Sequence, residues 1–223
     1  MYLQLYISFK MRRIVMSSSL IHLAVTQKII KEFEFKDIDR LRLGCVLPDG
    51  AIEGNSHLKK QKENGEYYYD LDKYRALFGE LMKTDDLYLG YYLHLIEDVI
   101  FRNFMYIQKQ WSSKKRENVD QLHHDYEVLN SYLVKHYQFD FELKKIENFN
   151  QEKLNCIAKF DLENFCDEVN QQMKSELTGE YYFFTPDLAN ELIDQSFDFC
   201  KEELNHLKQG KEGLDCLKWS WHI

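Results

Sequence analysis

The sequence predicts an all-α protein, a compact multi-helix domain, on three observations. Only 2 prolines and 9 glycines interrupt 223 residues. Apolar residues recur at helical spacing behind residues that cap helices. The strict alternation of β-branched and polar residues that marks half-buried strands is almost missing. A content of 44% apolar and 15% aromatic residues supplies a true core and excludes a disordered chain.

The elements follow in order. Ser17, Ser18 and Ser19 offer N-caps for a helix over about Leu20 to Phe33, with Ile21, Val25, Ile29 and Ile30 as its apolar stripe. The acidic stretch from Glu32 to Asp39 reads as a solvated face. From Leu43 to Gly65 the turn formers Pro48-Asp49-Gly50 and Glu53-Gly54-Asn55 predict an irregular loop. Helical patterns then run over about 70–82, 86–110, 118–137, 150–177 and 186–208. The last opens with Thr185-Pro186, an N-cap followed by proline at the first helical position. Tyr181 to Phe184 reads as a short extended piece. One domain over 17–223 is the economical organisation, with residues 1–16 as an extension and Met11 or Met16 as alternative starts.

A net charge of −8 argues against a protein that coats nucleic acid, a role that goes with a basic patch, but leaves room for an enzyme that takes one phosphoester into a metal site. The five cysteines are scattered without any C-x2-C pair, which points to reduced, buried thiols and a cytoplasmic location. No run reaches the roughly 18 apolar residues of a membrane span. In the first 13 residues the charges follow the apolar part, the reverse of a secretory signal. The aromatic residues Tyr67 to Tyr69, Tyr91, Tyr92, Tyr181 to Phe184, Trp219 and Trp221 read mainly as packing between helices, with substrate stacking as the alternative.

Chemistry concentrates at His94 and Asp98. Four residues apart on a helix, they lie on one face. The flanking run, Leu87 to Tyr92 and Val99 to Phe101, is apolar enough to be buried. An ionisable pair kept in such a helix calls for a partner, either a hydrogen bond between the two or a metal ion. Further histidines and carboxylates stand at His22 in the first helix, Asp49 and His57 in the loop, and His123 and Glu127, a second i, i+4 pair. Alone, each has an ordinary reading: His22 as a capping residue, Asp49 as a turn aspartate, His57 as solvated, His123 and Glu127 as an exposed helix face. Together, nitrogen and carboxylate donors on a helical frame suit zinc, with manganese or iron as competitors.

The order Ser17-Ser18-Ser19-Leu20-Ile21-His22, Leu43 to Asp49, Ser56-His57 and Gly90-Tyr91-Tyr92-Leu93-His94-Leu95-Ile96-Glu97-Asp98 resembles the zinc-dependent phospholipase C family, relatives of the S1/P1-type nucleases. The resemblance covers about 17–135. It implies that fold type, and metal ligation by His22, Asp49, His57, His94 and Asp98, with Asp98 bridging two ions. Asp49 is implied as general base, and His123 with Glu127 as a further ligand pair. The chain departs from the family in two places. Secreted members use an N-terminal tryptophan as ligand, and another histidine follows their H-x3-D pair, where this chain reads Phe101-Arg102-Asn103-Phe104-Met105-Tyr106. The expected function is hydrolysis of a small phosphoester by metal-activated water, with one or two zinc ions. Phosphatidylcholine is not the expected substrate. The alternatives are an HD-type phosphohydrolase built on His124-Asp125 and a non-catalytic helical protein with a degenerate metal site.

Overall fold

The computed structural model describes residues 18–222, and the extension with its alternative starts lies outside the described residues. The protein is mainly helical. Helix α1 (Ser19–Glu32) starts where the Ser18 hydroxyl accepts the Leu20 N–H at 3.3 Å. Helix α2 (Ile38–Gly44), which the sequence reading did not separate from its surroundings, is capped by Asp37 accepting the Arg40 N–H. Helices α3 (Leu71–Met82) and α4 (Asp86–Arg102) are capped in the same way by Asp70 and Asp85. After α4 the chain widens into a π-helical turn, Asn103–Gln108. Helices α5 (Arg116–His136), α6 (Leu162–Met173) and α7 (Pro186–Lys208) follow, α7 opening on the Thr185 cap.

Three expectations about elements need correction. The span 150–177 is not one helix: two 3-10 turns, Phe149–Gln151 and Lys153–Cys156, lead into a strand before α6 begins. Within it Ala158 is buried and Lys159 exposed, the period-2 pattern of a strand. The loop 43–65 is more regular than its turn formers suggest. It holds a 3-10 turn, Leu47–Gly50, and strands β1 (Ala51–Gly54) and β2 (Lys59–Gln61). Tyr181 to Phe184 forms no strand; its backbone is held by a side chain described below.

Strand β2 pairs antiparallel with β3 (Tyr67–Tyr69), placing Lys59 opposite Tyr69. Strand β1 pairs antiparallel with β4 (Ala158–Phe160), placing Gly54 opposite Ala158. These two ribbons clamp the ends of the segment 55–58 that carries His57.

Helix α4 is the central rod: every residue from Asp86 to Arg102 except Leu89 is buried. It packs against α2, α3 and α7, and meets α1 through His22, in a core that includes Leu20, Val25, Leu41, Tyr74, Tyr91, Leu95, Ile193 and Cys200. Tyr74 stacks on Tyr91 and Tyr92, so these aromatics are core. All five cysteines are free; Cys45, Cys166, Cys200 and Cys216 are buried as expected, whereas Cys156, in the 3-10 turn Lys153–Cys156, is exposed. No helix among the described residues is long and apolar enough to cross a membrane.

One crossing sets the geometry of the rest. Helices α2 and α4 meet backbone to backbone at Gly44 and Gly90: a methyl at Gly44 would strike the Leu87 carbonyl oxygen, and one at Gly90 the Leu41 carbonyl oxygen. Only glycine permits that approach. Gly90→Ala is therefore expected to destabilise the protein by on the order of 3 kcal/mol in urea unfolding. Gly79→Ala is the control. It sits in the interior of α3 with nothing within 4 Å of the new methyl, and is expected to be neutral or to stabilise by up to about 1 kcal/mol. Equal stability of the two variants would contradict the role given to the crossing.

Candidate metal centre

The sequence reading singled out seven residues, and the structure brings five of them to one place. His22 comes from α1, Asp49 from the 3-10 turn after α2, His57 from the turn between β1 and β2, and His94 and Asp98 from α4. Because α2 rides on α4 at the glycine crossing, the turn that follows it delivers Asp49 beside His94. Because α1 packs on the same core, His22 stacks on His94 with ring centroids 4.0 Å apart.

The donor atoms of these side chains face one another. The Nε2 atoms of His57 and His94 are 3.2 Å apart. Asp98 Oδ2 lies 3.3 Å from His57 Nε2 and 4.0 Å from His94 Nε2, while its other oxygen, Oδ1, lies 3.8 Å from His22 Nε2. Asp49 Oδ1 is 3.5 Å from His57 Nε2 and 3.7 Å from His94 Nε2. Two ligands on one tetrahedral zinc, each bonded at about 2.0–2.1 Å, stand roughly 3.3 Å apart. The spacings match that figure or exceed it slightly. Asp98 presents one oxygen to each half of the cluster, the disposition of a carboxylate shared between two positions.

Each histidine is held from behind. His94 is neutral at pH 7, since burial lowers its pKa. Its Nδ1 lies 2.8 Å from the Cys45 carbonyl oxygen, which can only accept, so Nδ1 carries the proton and Nε2 the lone pair. His22 Nδ1 is bound by Glu97 Oε2 at 2.6 Å, and His57 Nδ1 meets the Ser56 hydroxyl at 3.0 Å. In metal sites such outer partners fix the ring and the tautomer of each ligand. The His57 turn is itself fixed. Tyr91, on α4, donates its hydroxyl to the Ser56 carbonyl at 2.7 Å, and Asn55 bonds both backbone groups of Lys59. Leu58, with φ at 49°, is left-handed, a strain its buried side chain holds in place.

The buried donors toward the centre lack partners. His22 Nε2, both oxygens of Asp49 and both oxygens of Asp98 are buried without any hydrogen bond among the described residues. An isolated buried carboxylate is among the costliest groups a protein can hold. Five orphaned donors within one cluster fit divalent cation binding, which would satisfy them. Burial, reinforced by His94, lowers the pKa of His22 to about 3. Burial opposes the charge of Asp49, but His94, His57 and His22 outweigh it and hold the carboxyl at about 2. Neutral imidazoles and an ionised carboxylate are the forms that bind metal. Burial, with Asp98 and Asp49 nearby, pushes Glu97 well above the usual carboxylate range.

The chain matches no protein-family model, no curated protein and no solved structure. The centre therefore stands on its own geometry.

The remaining two candidates are elsewhere. His123 and Glu127 belong to neither group of converging donors among the described residues, His57, His94 and Asp98 or His22, Asp49 and His94. His123 is half-buried near Tyr126 and Glu127 is exposed. The pair lies on α5, whose polar sequence keeps that face at the surface. The HD-type alternative fares no better. Asp125 is buried, but its carboxylate accepts the N–H groups of Tyr182, Phe183 and Phe184 at 2.9, 2.8 and 2.7 Å, which leaves it as an anchor for that segment. His124 faces the Glu180 carbonyl at 3.3 Å.

Sequence reasoning gave no role to Glu97, although it stood in the quoted motif. The available signal was its position next to Asp98 in a helix that is otherwise free of acidic and basic side chains between Asp86 and Arg102, His94 apart.

Two predictions follow from this geometry. His22 and His94 have lower pKa values folded than unfolded, so below about pH 6.5 the unfolded chain takes up protons the folded one refuses, and stability falls with acid. Asp49, held at about 2, adds a loss of the same sign as pH drops below its unfolded value. Glu97, whose pKa is raised in the folded state, works in the opposite sense, but His22, His94 and Asp49 together outweigh it. The melting temperature of metal-free protein is therefore expected to fall from pH 7 to pH 4; a rising profile would contradict the buried cluster. Asp125→Ala is expected to cost about 2–3 kcal/mol in stability by orphaning three N–H groups, with the metal content per chain unchanged. Loss of metal in that variant would restore Asp125 as a ligand.

Proposed function

We propose that the protein is a metal-dependent hydrolase of small phosphoesters. The single observation that carries this reading is the convergence of five buried, unpartnered donor atoms of His22, Asp49 and Asp98 with the imidazoles of His57 and His94. Asp49, His57, His94 and Asp98 would hold one ion, with zinc first and manganese or iron as competitors. His22 and Asp98 Oδ1 would contribute to a second. The same residues, in the same order, support the resemblance to zinc-dependent phospholipase C and its fold type.

An ion held there would supply Lewis-acid charge and make a water acidic enough to attack phosphorus at neutral pH. The chain's own residues do the rest. Asp98, fully buried, fixes the negative charge that balances the centre. Asp49 is ionised at neutral pH, and a carboxyl held near 2 is a weak base. Its part is to accept a hydrogen bond from the attacking water and aim it. His57, whose side chain is 11% exposed, marks the edge where a substrate would enter, since both Asp49 oxygens are buried and His22, His94 and Asp98 are at 0%. So narrow an edge suits a small ester.

The same burial favours a second reading, a bound ion that supports the fold without turnover. Hydrolysis of p-nitrophenyl phosphate and bis-p-nitrophenyl phosphate by zinc- and manganese-loaded protein separates the two. Wild type is expected to hydrolyse at least one of them, and Asp49→Asn to lower kcat by about 10²-fold or more. His124→Ala is expected to leave the rate unchanged. Metal-loaded wild type that turns over neither ester would support the second reading and contradict the first.

A further inference from the structure

Arg102 ends α4 one helical turn beyond Asp98, and it is only 4% exposed. A buried guanidinium is normally paired with a carboxylate. Among the described residues no carboxylate reaches salt-bridge distance of this one. Its Nε donates to the Tyr69 hydroxyl at 3.1 Å and its Nη1 to the Tyr106 hydroxyl at 3.2 Å, both neutral acceptors. The charge it senses is Asp98. Tyr69 also packs its ring 5.7 Å from that of His57, so this group adjoins the metal centre.

A second observation points to the same place. The hydroxyl of Tyr126, on α5, is buried without a hydrogen bond among the described residues. It interacts electrostatically with Arg102, Asp98, Tyr106 and Asp49. An orphaned hydroxyl and a guanidinium with no carboxylate at salt-bridge distance among the described residues therefore lie in the same neighbourhood as Asp98. Both offer hydrogen-bond donors, and guanidinium has the fork geometry that fits the oxygens of a phosphoryl group.

We propose that Arg102, positioned by Tyr69 and Tyr106 and joined by the Tyr126 hydroxyl, binds the phosphoryl oxygens of the substrate beside the metal centre. This rests on the phosphoesterase reading and deepens it by naming the side chains that recognise the anion. Arg102 supplies a fixed positive charge and two-point donation. Tyr126 supplies one further donor. The pair orients a phosphate ester so that phosphorus faces the water held by Asp49.

The test is the affinity of inorganic phosphate for the metal-loaded full-length chain by isothermal titration, with metal content measured on the same samples. Arg102→Met is expected to weaken phosphate binding at least tenfold, Arg102→Lys to recover part of the loss, and Tyr126→Phe to weaken it roughly threefold. Metal per chain stays at the wild-type value in all three. Should Arg102→Met fail to fold, the lysine and phenylalanine variants carry the comparison. Phosphate that binds wild type and variants equally, or does not bind metal-loaded wild type, would overturn the proposal while leaving the metal centre intact. Variants that lose metal with phosphate would overturn it too, by assigning Arg102 to support of Asp98. Wild type without metal is the distinct outcome that fails the underlying reading.

Discussion

The burial of Asp98 without a hydrogen-bond donor is the constraint around which the molecule is arranged. Its carboxylate is fully buried, yet neither oxygen has a partner among the described residues. Such a group is tolerable only where positive charge is close. The nearby side chains answer that need in two ways. Three imidazoles turn their Nε2 atoms toward Asp98 and Asp49, donors that would share a cation with them, and the Arg102 guanidinium brings a fixed positive charge one turn along the same helix. The centre thus combines donors suited to a cation with a fixed cation beside them.

The scaffold supports that arrangement from behind. Cys45, Glu97 and Ser56 each hold the Nδ1 side of one histidine. The Cys45 carbonyl is available because α2 ends against α4, which in turn depends on Gly44 and Gly90. The His57 turn is available because Tyr91 holds Ser56 and because the β1–β4 and β2–β3 ribbons fix its ends. Backbone contacts between helices therefore translate directly into the orientation of donor atoms.

Much of this was legible in the sequence, for local reasons. The helices with clear caps, such as α1 behind Ser18 and α7 behind Thr185-Pro186, follow from hydrogen-bond chemistry within a few residues. The His94 and Asp98 pair could be read as one face because helical spacing is fixed. What failed was what depends on distant partners. Strand β4 exists because it pairs with β1, more than a hundred residues earlier, and the alternation of Ala158, Lys159 and Phe160 is too short to announce it alone. The pair His123 and Glu127 has the same spacing as His94 and Asp98, but spacing does not say which way a helix face turns. Glu97, Arg102 and Tyr126 acquire meaning only once α4 is seen to be buried along almost its whole length.

The central claim is that five orphaned donors form a metal centre. Metal content by mass spectrometry on tag-free protein, wild type against Asp98→Ala, tests it most directly. One to two zinc or manganese ions per chain in wild type, lost in the variant, is the predicted result. Wild type that binds no metal after incubation with zinc, or a variant that retains it, would contradict the account.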